Sequence, residues 1–174
     1  MSRWRPGQHD RRRDVYGRAD VMLVTAAEAA AVDAAARERH GVPERVLMEN
    51  AGRAAALVFD RSFRRGRAAI FAGSGNNGGD ALVMARALRS WGREVRLVSC
   101  GSRRPDPSLS HSHAIPIEPA ASVEDAIGWA DVLVDGLLGT GSSGAPREPT
   151  AGVIERMNAG GRPIFALDLP SGVA

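Results

Sequence analysis

Lysine is absent from this chain of 174 residues, because all 23 basic residues are arginine. Its absence excludes a Schiff-base enzyme, a P-loop kinase and a Ser–Lys nucleophile pair built from this chain alone. Cys100 is the only cysteine, so no intrachain disulfide forms, and that suits a reducing compartment. No apolar run reaches the roughly 18 residues of a membrane span, and no apolar segment follows the basic N-terminus. We therefore expect a cytoplasmic protein with no membrane partner.

Aromatic residues are also scarce, at 5% of the chain against 44% apolar residues, so the core must consist mainly of Ala, Val, Leu and Ile. The net charge of +3 arises within residues 1–21, where six arginines face three aspartates. Short polar arms of this kind are commonly solvated. We expect residues 1–21 to be a disordered basic leader, residues 22–174 to form one domain, and nucleic acid not to be a partner.

Helical and apolar patterns alternate along the domain. Helices are predicted over Thr25–Arg39, Pro43–Phe59, Gly79–Trp91, Ser122–Trp129 and Thr150–Asn158. Strands are predicted over Ala68–Ala72, Val95–Val98, Ile115–Ile117, Val132–Val134 and Ile164–Leu167, with residues 101–113 as the least structured internal segment. Alternating strands and helices favour an α/β fold with a doubly wound, mostly parallel sheet.

Three predicted strands end in polar or glycine-rich segments, Gly73–Asp80, Asp135–Gly141 and Asp168–Gly172. Ligands of open parallel sheets bind outside the carboxyl ends of the strands, where these segments would meet. The first segment matches G-x-G-x-x-G, which is compatible with a ligand loop or with a tight structural turn. Its additional polar residues, Asn76, Asn77 and Asp80, favour the ligand loop.

Carboxylates follow two of these strands. Asp168 precedes a turn stiffened by Pro170, and a carboxylate in a cleft serves as an acid or base. Asp135 has the alternative of capping a neighbouring turn. Asp135, Asn77 and Ser171 all offer oxygen ligands, a set suited to a hard cation.

Other candidate residues carry weaker signals. His111 and His113 have no carboxylate or cysteine at metal-ligand spacing. Cys100 has no nearby histidine and is predicted to be buried. Ser142 and Ser143 lack the G-x-S-x-G context of a nucleophile.

The polar segments, together with Leu47–Gly52 and Arg147–Pro149, resemble the NAD(P)H-hydrate epimerases, also called the YjeF N-terminal domain family. The resemblance implies a Rossmann-like α/β/α sandwich that interconverts the R and S forms of hydrated NADH and NADPH, which carry a hydroxyl on C6 of the nicotinamide ring. It implies Asp168 as the acid/base residue and a potassium ion held by Asn77, Asp135 and Ser171. The residues implied to line the substrate are Asn76, Asn77, Gly78, Gly79, Asp80, Gly139, Thr140, Gly141, Ser142, Ser143, Gly144, Ala145 and Asp168.

The chain departs from this family pattern at two places. Some members carry a lysine near Ser143, and none is present here. The family domain continues beyond the Asp168–Gly172 turn, so we expect this chain to be truncated at its C-terminus, with the last elements missing. The family fold also occurs fused to a hydrate dehydratase, which is an expected fused or separate partner.

Two other functions stay open from the sequence. An NAD(P)-dependent oxidoreductase shares the glycine pattern, and Arg103 and Arg104 after the second strand could bind a 2′-phosphate. A non-catalytic nucleotide-binding module is the second alternative. In that case the alanine-rich helices Thr25–Arg39 and Pro43–Phe59 would form a homodimer surface.

Overall fold

A computed structural model of the protein describes residues 25–101 and 115–173. The predicted leader over residues 1–21 lies outside these ranges. So do most of the predicted unstructured segment at 101–113, both histidines within it, and the arginine pair at 103–104.

The five described strands form one parallel sheet in the order β3-β2-β1-β4-β5. The strands are β1 (Ala68–Ala72), β2 (Val95–Ser99), β3 (Ile117–Pro119), β4 (Val132–Gly136) and β5 (Ile164–Ala166). The described helices are α1 (Ala26–His40), α2 (Glu44–Ser62), α3 (Asn76–Ser90), α4 (Val123–Trp129) and α5 (Thr150–Ala159), with a short 3-10 turn at Ala120–Ser122. The predicted α/β fold with a doubly wound sheet is confirmed.

Alternate residues of the central strand β1 enter two different cores. Ile70 faces a cluster built with α2 and α3, which includes Phe59 and Leu82. Phe71 faces the opposite cluster, where Val123 and other residues of α4 and α5 pack. Successive side chains of a strand point to opposite faces, so a strand buried on both sides must be apolar throughout. This explains why β1 is a continuous apolar run rather than an alternating one.

The structure corrects the predicted start of α3. The helix begins at Asn76, three residues before the predicted Gly79, with Gly75 as an extended N-cap. Asparagine and glycine are poor helix formers, so propensity alone places the start later. Tertiary contacts override that preference, because the side chain of Asn77 donates to the backbone of another loop. Asn76 and Asn77 therefore belong to the first helical turn, not to the loop before it.

Smaller corrections concern the sheet edges. The edge strand starts at Ile117, and Ile115 is buried in the core outside it. The last strand ends at Ala166 rather than Leu167, although the Leu167 N–H still donates to the Asp135 carbonyl at 2.9 Å. In the part of the chain that the structure covers, no helix is long and apolar enough to cross a membrane.

Helix α2 lies close to α3 because Gly52 has no side chain. A Cβ at this position would lie 2.5 Å from the Cβ of Val83 and 2.6 Å from the backbone oxygen of Asp80. Real Cβ atoms do not approach other heavy atoms so closely, so any larger residue would push the two helices apart. Gly52 thus sets the distance between α2 and the helix that begins at the glycine loop.

We predict that Gly52→Ala lowers the free energy of unfolding by about 1–3 kcal/mol, the usual cost of overpacking a core. Gly128→Ala is the matched control, because it also lies in a helix and its Cβ would meet no heavy atom within 4 Å. The control should be neutral, or stabilising by up to about 1 kcal/mol. Urea denaturation measures both changes, and equal midpoints for the two variants would contradict the packing argument.

Candidate active site

The glycine loop between β1 and α3 contacts the loop after β4 backbone to backbone. A Cβ at Gly73 would lie 2.0 Å from the carbonyl oxygen of Leu137, and one at Gly78 would lie 2.0 Å from the carbonyl oxygen of Gly73. Gly75 differs, since a Cβ there would meet nothing within 4 Å. Two of the three glycines of the G-x-G-x-x-G pattern are therefore required by packing inside the protein, and only the middle one borders open space.

The side chain of Asn77, in the first turn of α3, connects this helix to the loops that follow β4 and β5. Its side chain is buried, with 7% of the residue exposed, and Nδ2 donates to the carbonyl oxygens of Leu138 at 2.8 Å and Leu167 at 3.4 Å. Its Oδ1 atom is buried and has no hydrogen-bond partner among the described residues. Leaving a buried hydrogen-bond acceptor unpaired costs free energy, so this oxygen is suited to binding a cation or a hydrogen-bond donor.

Asp135 fixes the loops after β4 and β5 against each other. The carboxylate is 6% exposed, and Oδ1 accepts from the Leu137 N–H at 3.1 Å and from the Ser171 hydroxyl at 2.7 Å. Its Oδ2 accepts from the Ser171 N–H at 2.8 Å. The Ser171 hydroxyl in turn accepts from the Leu138 N–H at 2.9 Å. Asp135 therefore does cap a neighbouring turn, the role that the sequence left open for it. Because Asn77 and Ser171 both bond to the backbone of Leu138, the side chains of Asn77, Asp135 and Ser171 lie close together.

Asp168 stands at the meeting point of the three loops. It has a positive φ of 60°, which aspartate adopts more readily than most residues, and its side chain is exposed. Oδ2 accepts from the Thr140 N–H at 2.7 Å. A Cβ at Gly139 would lie 2.8 Å from this oxygen and 3.2 Å from the Cβ of Asn77. Gly139 thus lies between the exposed carboxylate of Asp168 and the buried amide of Asn77.

Asp80 adds a second acidic group on α3, one helical turn after Asn77. Burial raises the pKa of the Asp80 carboxyl to about 7, and the negative charges of Asp168 and Asp33 add to the increase. No local sequence pattern indicates this increase, because it requires α1, α3 and the loop after β5 to approach one another. Asp80 is therefore a second titratable carboxylate beside Asp168, the residue that the resemblance implies as the acid/base group.

The remaining residues predicted to line a substrate occupy two regions. Gly78 is buried and Gly79 half-buried at the start of α3. Ser142 closes a turn through its N–H to the Gly139 carbonyl at 2.9 Å. Ser142 and Gly144 share a small cavity with Leu169–Gly172, and the other loop residues, Gly141, Ser143 and Ala145, are exposed beside it. Their contacts with a substrate stay a prediction.

Sequence reasoning missed one partner of the site. Asn76 is exposed, and its Nδ2 donates to Oε1 of Glu44 at 3.0 Å. Glu44 lies 32 residues earlier, at the first position of α2. No local pattern links two residues so far apart, and a glutamate at a helix start is ordinary. Over residues 25–101 and 115–173, no three His, Cys, Asp or Glu side chains are grouped as a metal site would require.

Comparison with known proteins identifies relatives of most of this chain. The model of the family described as YjeF-related protein N-terminus matches residues 44–174. A bifunctional NAD(P)H-hydrate repair enzyme Nnr of Pyrobaculum aerophilum is 41% identical over 147 residues, which cover 76% of this chain and 29% of that enzyme. An NAD(P)H-hydrate epimerase of Rhodopirellula baltica is 35% identical over 151 residues, which cover 82% of this chain and 62% of that protein.

The fold is also similar to a solved structure. The crystal structure of yeast ynu0 superposes with a TM-score of 0.78 at 25% identity, over 87% of this chain and 71% of the yeast chain. The matched part of this chain spans less than two thirds of the length of the two curated relatives, from Pyrobaculum aerophilum and Rhodopirellula baltica. The family model covers well over half of the chain and includes all three loops of the site. The chain belongs to the YjeF-related protein N-terminus family.

Proposed function

We propose that this chain epimerises the R and S forms of hydrated NADH and NADPH, and so acts as an isomerase in cofactor repair. The observation that carries the proposal is the position of Asp168, an exposed carboxylate held by the Thr140 N–H where the three loops meet. Family membership supports it, as do the relatives named NAD(P)H-hydrate epimerase and NAD(P)H-hydrate repair enzyme. An NAD(P)-dependent oxidoreductase is not favoured, since none of these relatives is named as one.

Asp168 is proposed to move one proton. The carboxylate takes the proton from the C6 hydroxyl of the substrate, and the oxygen electrons form a carbonyl as the bond between C6 and N1 breaks. N1 keeps the electron pair of that bond and receives the proton. Rotation followed by the reverse steps closes the ring on the other face of C6. The sequence of steps is redox-neutral, so it requires neither a hydride acceptor nor a lysine.

A potassium ion is the proposed cofactor, held by Asn77, Asp135 and Ser171. The unpaired, buried Oδ1 of Asn77 fits a cation, and the carboxylate of Asp135 would supply opposite charge. The ion would neutralise charge beside the substrate and orient these groups. The chain's own backbone donors already hold Asp135 and Ser171 in place.

The cellular setting follows from the proposed substrate. We infer a cytoplasmic location, where hydrated cofactors would arise and where the single thiol of Cys100 would stay reduced. A hydrate dehydratase, fused or separate, is the proposed functional partner, because curated relatives of this chain are named as bifunctional. A homodimer through α1 and α2 stays a proposal.

Asp168→Asn should reduce the epimerisation rate by roughly 10²–10⁴-fold, the usual contribution of a general acid–base group. Asparagine tolerates a positive φ and can still accept from the Thr140 N–H, so the fold should be kept. The assay follows interconversion of the two NADPH-hydrate epimers by chromatography. Asp125→Asn, at an exposed carboxylate on α4, is the matched control. A full rate in Asp168→Asn would disprove the assigned role.

Potassium should raise the melting temperature of the wild-type chain by a few degrees relative to choline at equal ionic strength. A ligand that binds only the folded state stabilises it by RT ln(1 + [L]/Kd), which increases with the ligand concentration. Ser171→Ala removes one proposed oxygen ligand and should reduce the increase, whereas Ser90→Ala, whose hydroxyl bonds a carbonyl within α3, should keep it. Identical melting curves in both salts would count against a potassium site.

The stability of the chain should depend on pH through Asp80. Its folded pKa of about 7 lies above the value of about 3.9 for an unfolded aspartate, so the folded state holds the proton more tightly. The resulting stabilisation is complete below about pH 4 and is lost as the pH rises through about 7. Wild type should therefore lose stability relative to Asp80→Asn between about pH 4 and pH 7 in urea denaturation, and the difference should level off at higher pH. A constant difference would show that Asp80 does not titrate there.

A further inference from the structure

Glu44 contacts the candidate site and an outer helix through one oxygen atom. Its Oε1 accepts from Nδ2 of Asn76 at 3.0 Å and from Nη1 of Arg37, on α1, at 3.5 Å. Among the described residues, the hydrogen-bond donors to the Glu44 carboxylate are these two side chains, and neither belongs to α2. Helix capping therefore does not account for its position, and the side chain points to α3 and α1 instead.

The contact fixes which end of the Asn76 amide is free. A carboxylate only accepts hydrogen bonds, so the amide group must turn its nitrogen toward Glu44. The carbonyl oxygen, Oδ1, then points away from α2. Among the described residues no hydrogen bond to this oxygen is formed, and Asn76 is exposed beside the glycine loop. At the start of α3 the site thus presents a hydrogen-bond acceptor, Oδ1 of Asn76, and not a donor.

We propose that Glu44 is a positioning residue, which orients the Asn76 amide so that its oxygen accepts a hydrogen bond from a hydroxyl or carboxamide N–H of the substrate. This proposal rests on the proposed epimerase function. It adds a residue outside the three loops and specifies the chemistry of the substrate group that contacts Asn76. Arg37 neutralises part of the Glu44 charge but has no role in the orientation.

A purely structural role for Glu44 makes a different prediction. Negative charge at the start of α2 would stabilise that helix through its dipole, and the pair with Arg37 would tether α1. Both effects would change the melting temperature, and neither would depend on Asn76. The side chains of Arg37 and Glu44 are 43% and 53% exposed, so their ion pair adds little to stability.

The test compares four single variants and one double variant of the full chain in the epimerisation assay. Glu44→Ala should raise KM by roughly two- to tenfold, the effect of one hydrogen bond, and leave kcat nearly unchanged. Glu44→Gln should lie between wild type and Glu44→Ala, because an amide pair can form in either orientation. Arg37→Ala should match wild type. Asn76→Ala should match Glu44→Ala, and combining the two changes should add nothing further.

A second measurement does not depend on catalysis. In the ¹⁵N-labelled chain, the side-chain amide signals of Asn76, assigned by their loss in Asn76→Ala, should be protected from solvent exchange in wild type and in Arg37→Ala. They should exchange like a free amide in Glu44→Ala. Unchanged signals in Glu44→Ala, or an unchanged KM with a lowered melting temperature, would overturn the proposal. Protected signals in a wild-type chain without epimerase activity would instead refute the proposed function alone and leave the orientation of Asn76 supported.

Discussion

The buried amide of Asn77 is the contact on which the arrangement of the site depends. Its single side-chain nitrogen donates to carbonyls of the two loops that follow β4 and β5. The contact requires α3 to start at Asn76, which in turn requires Gly73 and Gly78 to pack without side chains. Helix start, loop contact and site geometry are thus one linked constraint.

Two aspartates that each follow an apolar run in the sequence acquire different tasks from their surroundings, because Asp135 lies within β4 and Asp168 lies two residues beyond the end of β5. Asp135 is almost fully buried, and three donors satisfy its oxygens, so it holds the loops after β4 and β5 against each other. Asp168 is exposed, and among the described residues its carboxylate accepts a backbone hydrogen bond from Thr140, so it remains accessible to a substrate. In the sequence, both aspartates follow an apolar run. The difference in their burial and hydrogen bonding therefore arises only in the folded structure.

Much of the fold was predictable from the sequence because its signals are local. Thr25 and Glu28 form a capping box at the predicted start of the first helix, and Gly41 ends α1 in the left-handed conformation. The apolar run Ala68–Ala72 is the predicted central strand. The misplaced start of α3, the raised pKa of Asp80 and the contact of Glu44 with Asn76 were not predictable. Each depends on residues brought together from distant parts of the chain, which no local propensity or spacing encodes.

The glycine pattern itself explains why sequence alone left an oxidoreductase open. Gly73 and Gly78 are required by contacts within the protein, so any enzyme with this strand-to-helix packing needs them whatever it binds. The G-x-G-x-x-G pattern therefore indicates how this loop packs against the loop after β4, and it does not identify a ligand. Of its three glycines, only Gly75 borders space that a ligand could enter. Discrimination between reactions must come from the polar groups around that space. Here those groups are carboxylates and amides without a lysine, which suits the movement of a proton between two oxygen or nitrogen atoms better than covalent attachment of the substrate.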